Sequence, residues 1–308
     1  MRIKLAQLDG TLMNLALSKL GTYHRQRGDQ VGRDIRDPDL VYYSAIFTWT
    51  AEKFRGQTSI GGKAIFGGYP FNDDHLPSEA EFCKPAYDLW GTDYSLGYTS
   101  RGCIRKCPFC IVPKKEGRIR DYQFVGEFHD QAHRKIILLD NNFFASPRWR
   151  ANIGYINDND LLICFNQGND LRLVDAEVAG VLADTRSGDL DFSRRRYYFA
   201  WDSIMDEKQI RAGLQTLLDA GIRSETIEVY VLNQFDSTCG QDLYRCETLW
   251  NEYRVHPFVM KFNMRKDNAF ENILARWANR PAAHRHHSFR DFCANEGFDP
   301  MPYLEGGM

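Results

Sequence analysis

Short apolar runs alternate with longer segments of helical spacing from about residue 91 onward. This alternation predicts βα units that build a parallel sheet. Helical spacing predicts helices at 174–183, 207–220 and 239–253, and Gly221 is placed to end the second of them. Six apolar runs are typical of the strands between such helices: 94–101, 135–140, 161–166, 195–201, 227–232 and 258–263. Six units of this kind predict an incomplete barrel.

The first ninety residues repeat this pattern on a smaller scale. Apolar runs at 3–7, 40–47 and 63–68 predict strands, and helical spacing at 14–28 predicts a helix that ends at Gly28. We therefore expect a small, incomplete Rossmann-like α/β domain at 1–90, a partial barrel at 91–267 and a helical tail at 268–308. In the tail, residues 282–287 (Ala-Ala-His-Arg-His-His) could bind metal, but a solvated linker before a last helix at 288–294 is the expected structure.

Composition narrows the class of protein. The 308 residues carry a formal net charge of −2 and are 43% hydrophobic, which allows a sizeable core. No apolar run is long enough for a membrane span or a signal peptide, so we expect a cytoplasmic protein. In that reducing compartment the eight cysteines should be thiols or metal ligands. The near-neutral charge argues against a protein that coats nucleic acid, although a local basic groove stays open.

Three cysteines lie in one short run, Cys103-Ile-Arg-Lys-Cys107-Pro-Phe-Cys110, with the spacing C-x3-C-x2-C. A cubane iron–sulfur cluster usually takes four thiolates, so three would leave one iron with an open coordination site. An open position on a metal is where chemistry occurs. Two other interpretations stay open: a zinc site with a distant fourth ligand, and a structural cluster closed by another residue. Zinc sites favour a second cysteine pair, which Cys83 and Cys164 do not supply.

This run resembles the cluster-binding loop of the radical S-adenosylmethionine (SAM) superfamily. Phe109, just before the third cysteine, and the strand-to-glycine segment at 95–102 belong to the resemblance. The six predicted units are likewise similar to the partial (βα)6, TIM-like barrel of that superfamily. The resemblance implies a [4Fe–4S] cluster on Cys103, Cys107 and Cys110. It also implies reductive cleavage of SAM to methionine and a 5'-deoxyadenosyl radical, which abstracts hydrogen from a substrate.

The first ninety residues are similar to a degenerate cobalamin-binding domain, which precedes the barrel in one branch of the superfamily. Residues 20–31 resemble that domain's first helix and the approach to its second strand. The chain lacks the family's Asp-x-His-x-x-Gly signature, and His24 and His75 stand in other contexts. We therefore expect no cobalamin here, and a vestigial platform instead.

Polar residues follow the predicted strands, and the carboxyl ends of parallel strands carry the active site in barrels. The SAM ammonium needs acceptors, and the carboxylate needs a cation, for which Arg172 is the candidate. Phe109 and the strand end at Leu232 are placed for adenine. The acceptor candidates for the ammonium are Asp140, Asn141 and Asn142, and those for the ribose are Asn166, Gln167, Asp170 and Asp202. Any one of these polar residues could instead be a helix N-cap or turn residue.

Seven basic residues surround the cysteines, at positions 101, 105, 106, 114, 115, 118 and 120. They could form a solvated face, meet an acidic flavodoxin- or ferredoxin-type reductant, or bind a phosphate-bearing substrate. A small-molecule or nucleotide substrate is favoured over a peptide because no peptide-binding extension is evident. The alternatives to a radical SAM enzyme are a non-catalytic iron–sulfur sensor, a cobalamin-assisted methyltransferase and a zinc-binding nucleic-acid module.

Overall fold

A computed structural model describes residues 1–54, 63–71, 75–262, 268–280 and 287–305. Two compact units are present: residues 1–97 with 123–136, and residues 98–122 with 137–308. The predicted strand end at Asn263, Met264 and Arg265 lies outside the described residues, as do 281–286, which hold most of the histidine-rich stretch. The predicted boundaries at residues 90 and 267 stay a prediction.

The elements follow one another in a largely alternating order. The strands are β1 (Arg2–Gln7), β2 (Gln30–Gly32), β3 (Leu40–Ser44), β4 (Lys63–Gly67), β5 (Tyr94–Gly97), β6 (Ser100–Arg101), β7 (Arg120–Asp121), β8 (Lys135–Leu138), β9 (Leu162–Phe165), β10 (Asn169–Asp170), β11 (Tyr197–Ala200), β12 (Ile227–Asn233) and β13 (His256–Lys261). The helices are α1 (Leu15–Gln26), α2 (Thr48–Phe54), α3 (Ser78–Glu81), α4 (Val112–Lys115), α5 (Val125–Phe128), α6 (Trp149–Asp158), α7 (Ala176–Asp184), α8 (Glu207–Asp219), α9 (Cys239–Asn251), α10 (Ala269–Ala278), α11 (Phe289–Asn295) and α12 (Met301–Glu305).

The first unit is built on a parallel sheet in the order β2–β1–β3–β4. Its apolar residues pack with α1 around Ile3 and Leu5, which are almost fully buried. Asn14 caps α1 by accepting a hydrogen bond from Leu17 N (3.0 Å). Gly28, just past the helix, has φ +81°, a conformation that favours glycine.

The second unit contains a parallel sheet in the order β10–β11–β12–β13. Along β12 every second residue, from Ile227 to Asn233, is buried, as expected when helices cover one face. Asn166 N donates to Leu138 O (3.1 Å), which sets the carboxyl ends of β8 and β9 side by side. In the described part of the chain, no helix is long and apolar enough to cross a membrane.

The predicted class, α/β with parallel sheets, is confirmed. A continuous strand over 94–101 is wrong, because β5 ends at Gly97 and β6 instead pairs with β7 in an antiparallel ladder. The interruption coincides with hydrogen bonds from Thr99 and Ser100 to Asp140, which redirect the backbone there. Helix α6 was not predicted from the sequence pattern.

A buried ion pair joins the ends of β11 and β12 to α9. Arg245 and Asp242 are fully buried and 2.6 Å apart. The Arg245 guanidinium also donates to the carbonyl oxygens of Trp201, Asp202 and Leu232 at 2.7–2.8 Å. One side chain therefore fixes two strand ends against the helix.

Arg245→Met should destabilise the protein strongly, because Asp242 would stay buried without its counterion and the three carbonyl groups would lose the guanidinium donor. We expect a loss of about 3–5 kcal/mol in the free energy of unfolding, measured by urea denaturation. The matched control is Arg186→Met, which breaks the exposed pair with Asp160 and should change stability by less than about 1 kcal/mol. Equal effects of the two substitutions would contradict the assignment.

Candidate functional site

The three cysteines of the sequence motif are free thiols, each half-buried, on the loop that follows β6. Gly102 opens this loop with φ +79°, and a Cβ there would collide with the carbonyl oxygen of Arg118. Cys103 N donates to Gly117 O (3.3 Å), and Cys110 N donates to Cys107 O (3.0 Å). The backbone of the loop is thus fixed by hydrogen bonds and by a position that only glycine suits.

Asp140, directly after β8, holds the chain that leads into the loop. Its buried carboxylate accepts four hydrogen bonds, from the backbone N–H and the hydroxyl of both Thr99 and Ser100, at 2.6–2.9 Å. Burial raises the pKa of Asp140, while these bonds oppose the increase. The sequence predicts this residue near the SAM ammonium, but its carboxylate is already hydrogen-bonded to Thr99 and Ser100. Asp140 is therefore a positioning residue, because it holds residues 99–100 at the start of the cysteine loop.

A second carboxylate, Glu116, ties the start of the loop to the strand end. It accepts hydrogen bonds from Gly102 N (2.9 Å), Arg101 Nη2 (2.9 Å) and Asn141 Nδ2 (3.0 Å), and it is largely buried. The sequence analysis missed this residue. The available signal was a single acid within a basic run, which by itself does not indicate where its partners lie.

Asn142 lies between the cysteine loop and the next strand end. Its Nδ2 is 3.8 Å from Cys103 Sγ and 3.5 Å from Asp170 Oδ2. Its Oδ1 is buried and has no hydrogen-bond partner among the described residues. A buried acceptor without a donor carries a desolvation penalty, so this oxygen is suited to a ligand that brings a donor.

Asp170 and Arg172 form the charged centre of the site. Asp170 accepts hydrogen bonds from Arg105 Nε (2.8 Å) and Arg172 Nε (2.7 Å), while Arg172 Nη1 donates to Asp206 Oδ2 (2.6 Å). Burial acts to raise the pKa of Asp170, but the two arginines outweigh it and hold that pKa below its ordinary value. Asp170 therefore stays ionised and fixes the orientation of the Arg172 guanidinium.

Asp202 follows β11, and its carboxylate has fewer hydrogen-bond donors than those of Asp140, Glu116 and Asp170. Among the described residues, none donates a hydrogen bond to its carboxylate. Burial, with smaller contributions from Asp170 and Asp206, raises its pKa to about 6 against the opposing charges of Arg172 and Arg245. Its charge also contributes, after burial, to raising the pKa of Cys107. The structure thus brings Asp202 into the electrostatic environment of the cysteine loop.

The remaining predicted residues divide into two groups. Phe109 packs edge to face on Phe235 (5.3 Å between ring centroids), and Phe235 packs on Phe262 (4.8 Å), so an aromatic row borders the loop. Leu232 is half-buried at the end of β12. By contrast, the side chains of Asn166 and Gln167 hydrogen-bond none of the other predicted site residues in the described part of the chain, and Gln167 is exposed.

The donor set determines which metal group the loop suits. Among the described residues, no three Cys, His, Asp or Glu side chains are already arranged to hold a metal ion. Three free thiols on one loop are soft ligands, however, and such ligands select iron–sulfur clusters, zinc or Cu(I). Three thiolates from one loop fit an iron–sulfur cluster with one iron that no cysteine holds, and Asn142, whose Nδ2 is near Cys103 Sγ, has a buried oxygen without a partner among the described residues.

Asp202→Asn should stabilise the protein at neutral pH. The folded pKa lies above the ordinary value of 3.8, so the folded protein binds the proton more tightly and loses stability as pH rises from about 4 to 6. At pH 7.5 the substitution should add about 1–3 kcal/mol to the free energy of unfolding, and at pH 4 it should add little. Urea denaturation at both pH values measures the difference.

Asp206→Asn serves as the control because it removes a carboxylate that pairs directly with Arg172. It should leave stability unchanged or lower it at pH 7.5. A loss of stability in Asp202→Asn as large as that in Asp206→Asn at that pH would contradict the conclusion that the Asp202 carboxylate lowers the stability of the folded protein.

No protein-family model matches the chain, and no curated protein matches it either.

Proposed function

We propose that the chain is a radical SAM enzyme, which binds a [4Fe–4S] cluster through Cys103, Cys107 and Cys110. The observation that carries the proposal is the loop of three free thiols, C-x3-C-x2-C, anchored by the carboxylate of Asp140, just after β8, and by that of Glu116, just after α4. In this proposal the parallel strands β8 to β13 belong to a partial (βα)6 barrel. When bound, the cluster and SAM supply a 5'-deoxyadenosyl radical that abstracts hydrogen from the substrate.

The chain's own residues have distinct tasks in binding SAM. Asn142 Oδ1 lacks a donor and is suited to accept a hydrogen bond from the ammonium. Arg172 uses three of its five N–H donors on Asp170 and Asp206, which leaves one each on Nη1 and Nη2 for the carboxylate. The two aspartates orient the guanidinium in advance, so less side-chain entropy is lost when the carboxylate binds.

Two further parts of the site suit the nucleoside. Asp202 is an acceptor without a hydrogen-bond donor among the described residues, and a ribose hydroxyl would supply one. The aromatic row of Phe109, Phe235 and Phe262 offers an apolar surface for adenine. We propose a small molecule or a nucleotide as the substrate.

The basic residues near the cysteines separate into two sets. Arg101, Arg105 and Arg120 donate hydrogen bonds to Glu116, Asp170 and the Glu116 carbonyl oxygen, respectively. Lys106, Lys114, Lys115 and Arg118 are exposed. We propose that this exposed set meets an acidic flavodoxin- or ferredoxin-type reductant, since opposite charges steer such encounters.

The direct test is electron paramagnetic resonance of the anaerobically reconstituted and reduced protein, with and without SAM. We expect a cubane signal that changes when SAM is added, because SAM would bind the iron that no cysteine holds. Cys107→Ala should abolish the signal, since two thiolates remain for a cluster that needs three. Iron and sulfide contents of the same samples provide a second measurement.

The matched control is Cys83→Ala, which removes a buried cysteine from the first unit and should leave the signal intact. A cubane signal that SAM does not alter would refute the enzyme and favour a sensing or structural cluster. Zinc in place of iron after anaerobic purification would refute the cluster altogether.

Asp140→Ala should also reduce cluster content, although all three cysteines remain. The substitution removes the acceptor of four hydrogen bonds that hold residues 99–100, so the loop loses its anchor. Iron content after reconstitution should fall well below that of the exposed control Asp160→Ala, while far-ultraviolet circular dichroism shows whether both variants fold. Normal iron content in a folded Asp140→Ala protein would disprove the positioning role.

A further inference from the structure

A cavity of about 300 Å³ lies at the amino-terminal ends of β11, β12 and β13. The cysteine loop is associated with the carboxyl ends of strands in the same unit, so the cavity is not part of the site proposed above. Four of its seven lining residues are arginines, and the lining consists of Arg194, Arg195, Arg196, Arg223, Glu225, Thr226 and His256. The chain as a whole has a formal net charge of −2, so composition does not account for this concentration of arginines.

Arg195 has a structural explanation. Its Nη2 donates to the carbonyl oxygens of Ala183 (2.9 Å) and Thr185 (3.3 Å), and its Nε donates to Tyr197 Oη (2.9 Å). It therefore satisfies carbonyl groups at the end of α7, where a cation also complements the helix dipole. This arginine would be needed whether or not the cavity binds a ligand.

The other three arginines are poorly compensated. Arg196 is 12% exposed, and its Nη1 donates to Glu225 O (3.4 Å) and is 3.9 Å from Glu228 Oε2, a long ion pair. Arg223 is 69% exposed and lies 3.5 Å from Glu225 Oε1. Arg194 is exposed and forms no ion pair with any described residue. Even with Glu225, Glu228 and Asp189, which accepts a hydrogen bond from Arg194 N, all ionised, the four arginines outnumber these three acids around the cavity.

We propose that this cavity binds the diphosphate group of a phosphorylated small molecule. Guanidinium groups bind phosphate oxygens in a bidentate geometry, and several of them together match a group with more than one negative charge. The volume is at the small end of the range for ligand pockets, which suits a diphosphate with part of the attached molecule. A nucleic-acid strand would need an extended basic groove, whereas these cations surround a single cavity.

The proposal is tested with inorganic pyrophosphate, titrated calorimetrically into the full chain at low ionic strength. We expect binding at one saturable site. Arg194→Ala/Arg223→Ala should weaken binding by at least about tenfold, because each lost charge-assisted hydrogen bond contributes to affinity. Arg194→Lys/Arg223→Lys keeps the charges but not the fork geometry and should have an intermediate affinity.

Arg186→Ala is the matched control, since this arginine is exposed and pairs with Asp160 away from the cavity. It should bind pyrophosphate like the unmodified protein, and thermal unfolding should show that all variants fold. The proposal fails if pyrophosphate does not bind, or if Arg186→Ala and the double alanine variant bind alike. It also fails if a single-stranded oligonucleotide displaces pyrophosphate more effectively than a nucleoside diphosphate does.

Discussion

The candidate site depends on a carboxylate that is removed from water. Asp140 accepts four hydrogen bonds from two consecutive residues, and its side chain is buried away from solvent. Each hydrogen bond to a charged group contributes about 1.5–3 kcal/mol, so the four together offset part of a desolvation cost of several kcal/mol, which still raises the pKa of Asp140. The arrangement is stable only when residues 99–100 adopt one conformation. The loop that carries the cysteines therefore starts from a fixed point.

The acidic side chains around the loop differ in how well their charge is compensated. Asp170 is held by two arginines and stays ionised, with its pKa below the ordinary value. Asp202 sits nearby with weaker support and a pKa raised to about 6. A carboxylate kept in such an environment lowers the stability of the protein at neutral pH. Glu116 and Asp140, by contrast, are fully used within the protein.

Local pattern predicted most strands and helices of the parallel sheets, since apolar spacing and end-capping glycines such as Gly28 and Gly221 are local signals, but it did not predict α6 or β10. The cysteine motif is local as well. Local sequence pattern does not predict contacts between residues that are far apart in the chain. The break between β5 and β6 coincides with hydrogen bonds to Asp140, some forty positions away. Apolar spacing does not reveal such a contact. Glu116 was missed for the same reason, because its importance comes from Asn141 and Gly102.

The helix dipoles of a βα sheet offer a common explanation for acids at one end of the strands and arginines at the other. Helices begin near the carboxyl ends of strands, where Asp175 caps α7 by accepting a hydrogen bond from Val178 N. They end near the amino end of the next strand, where Arg195 binds the last carbonyl groups of α7. This account explains Asp175 and Arg195 fully. It does not explain Arg194 and Arg223, which bind no helix carbonyl group in the described part of the chain. Their charge exceeds what the fold requires, and that surplus is what a bound anion would neutralise.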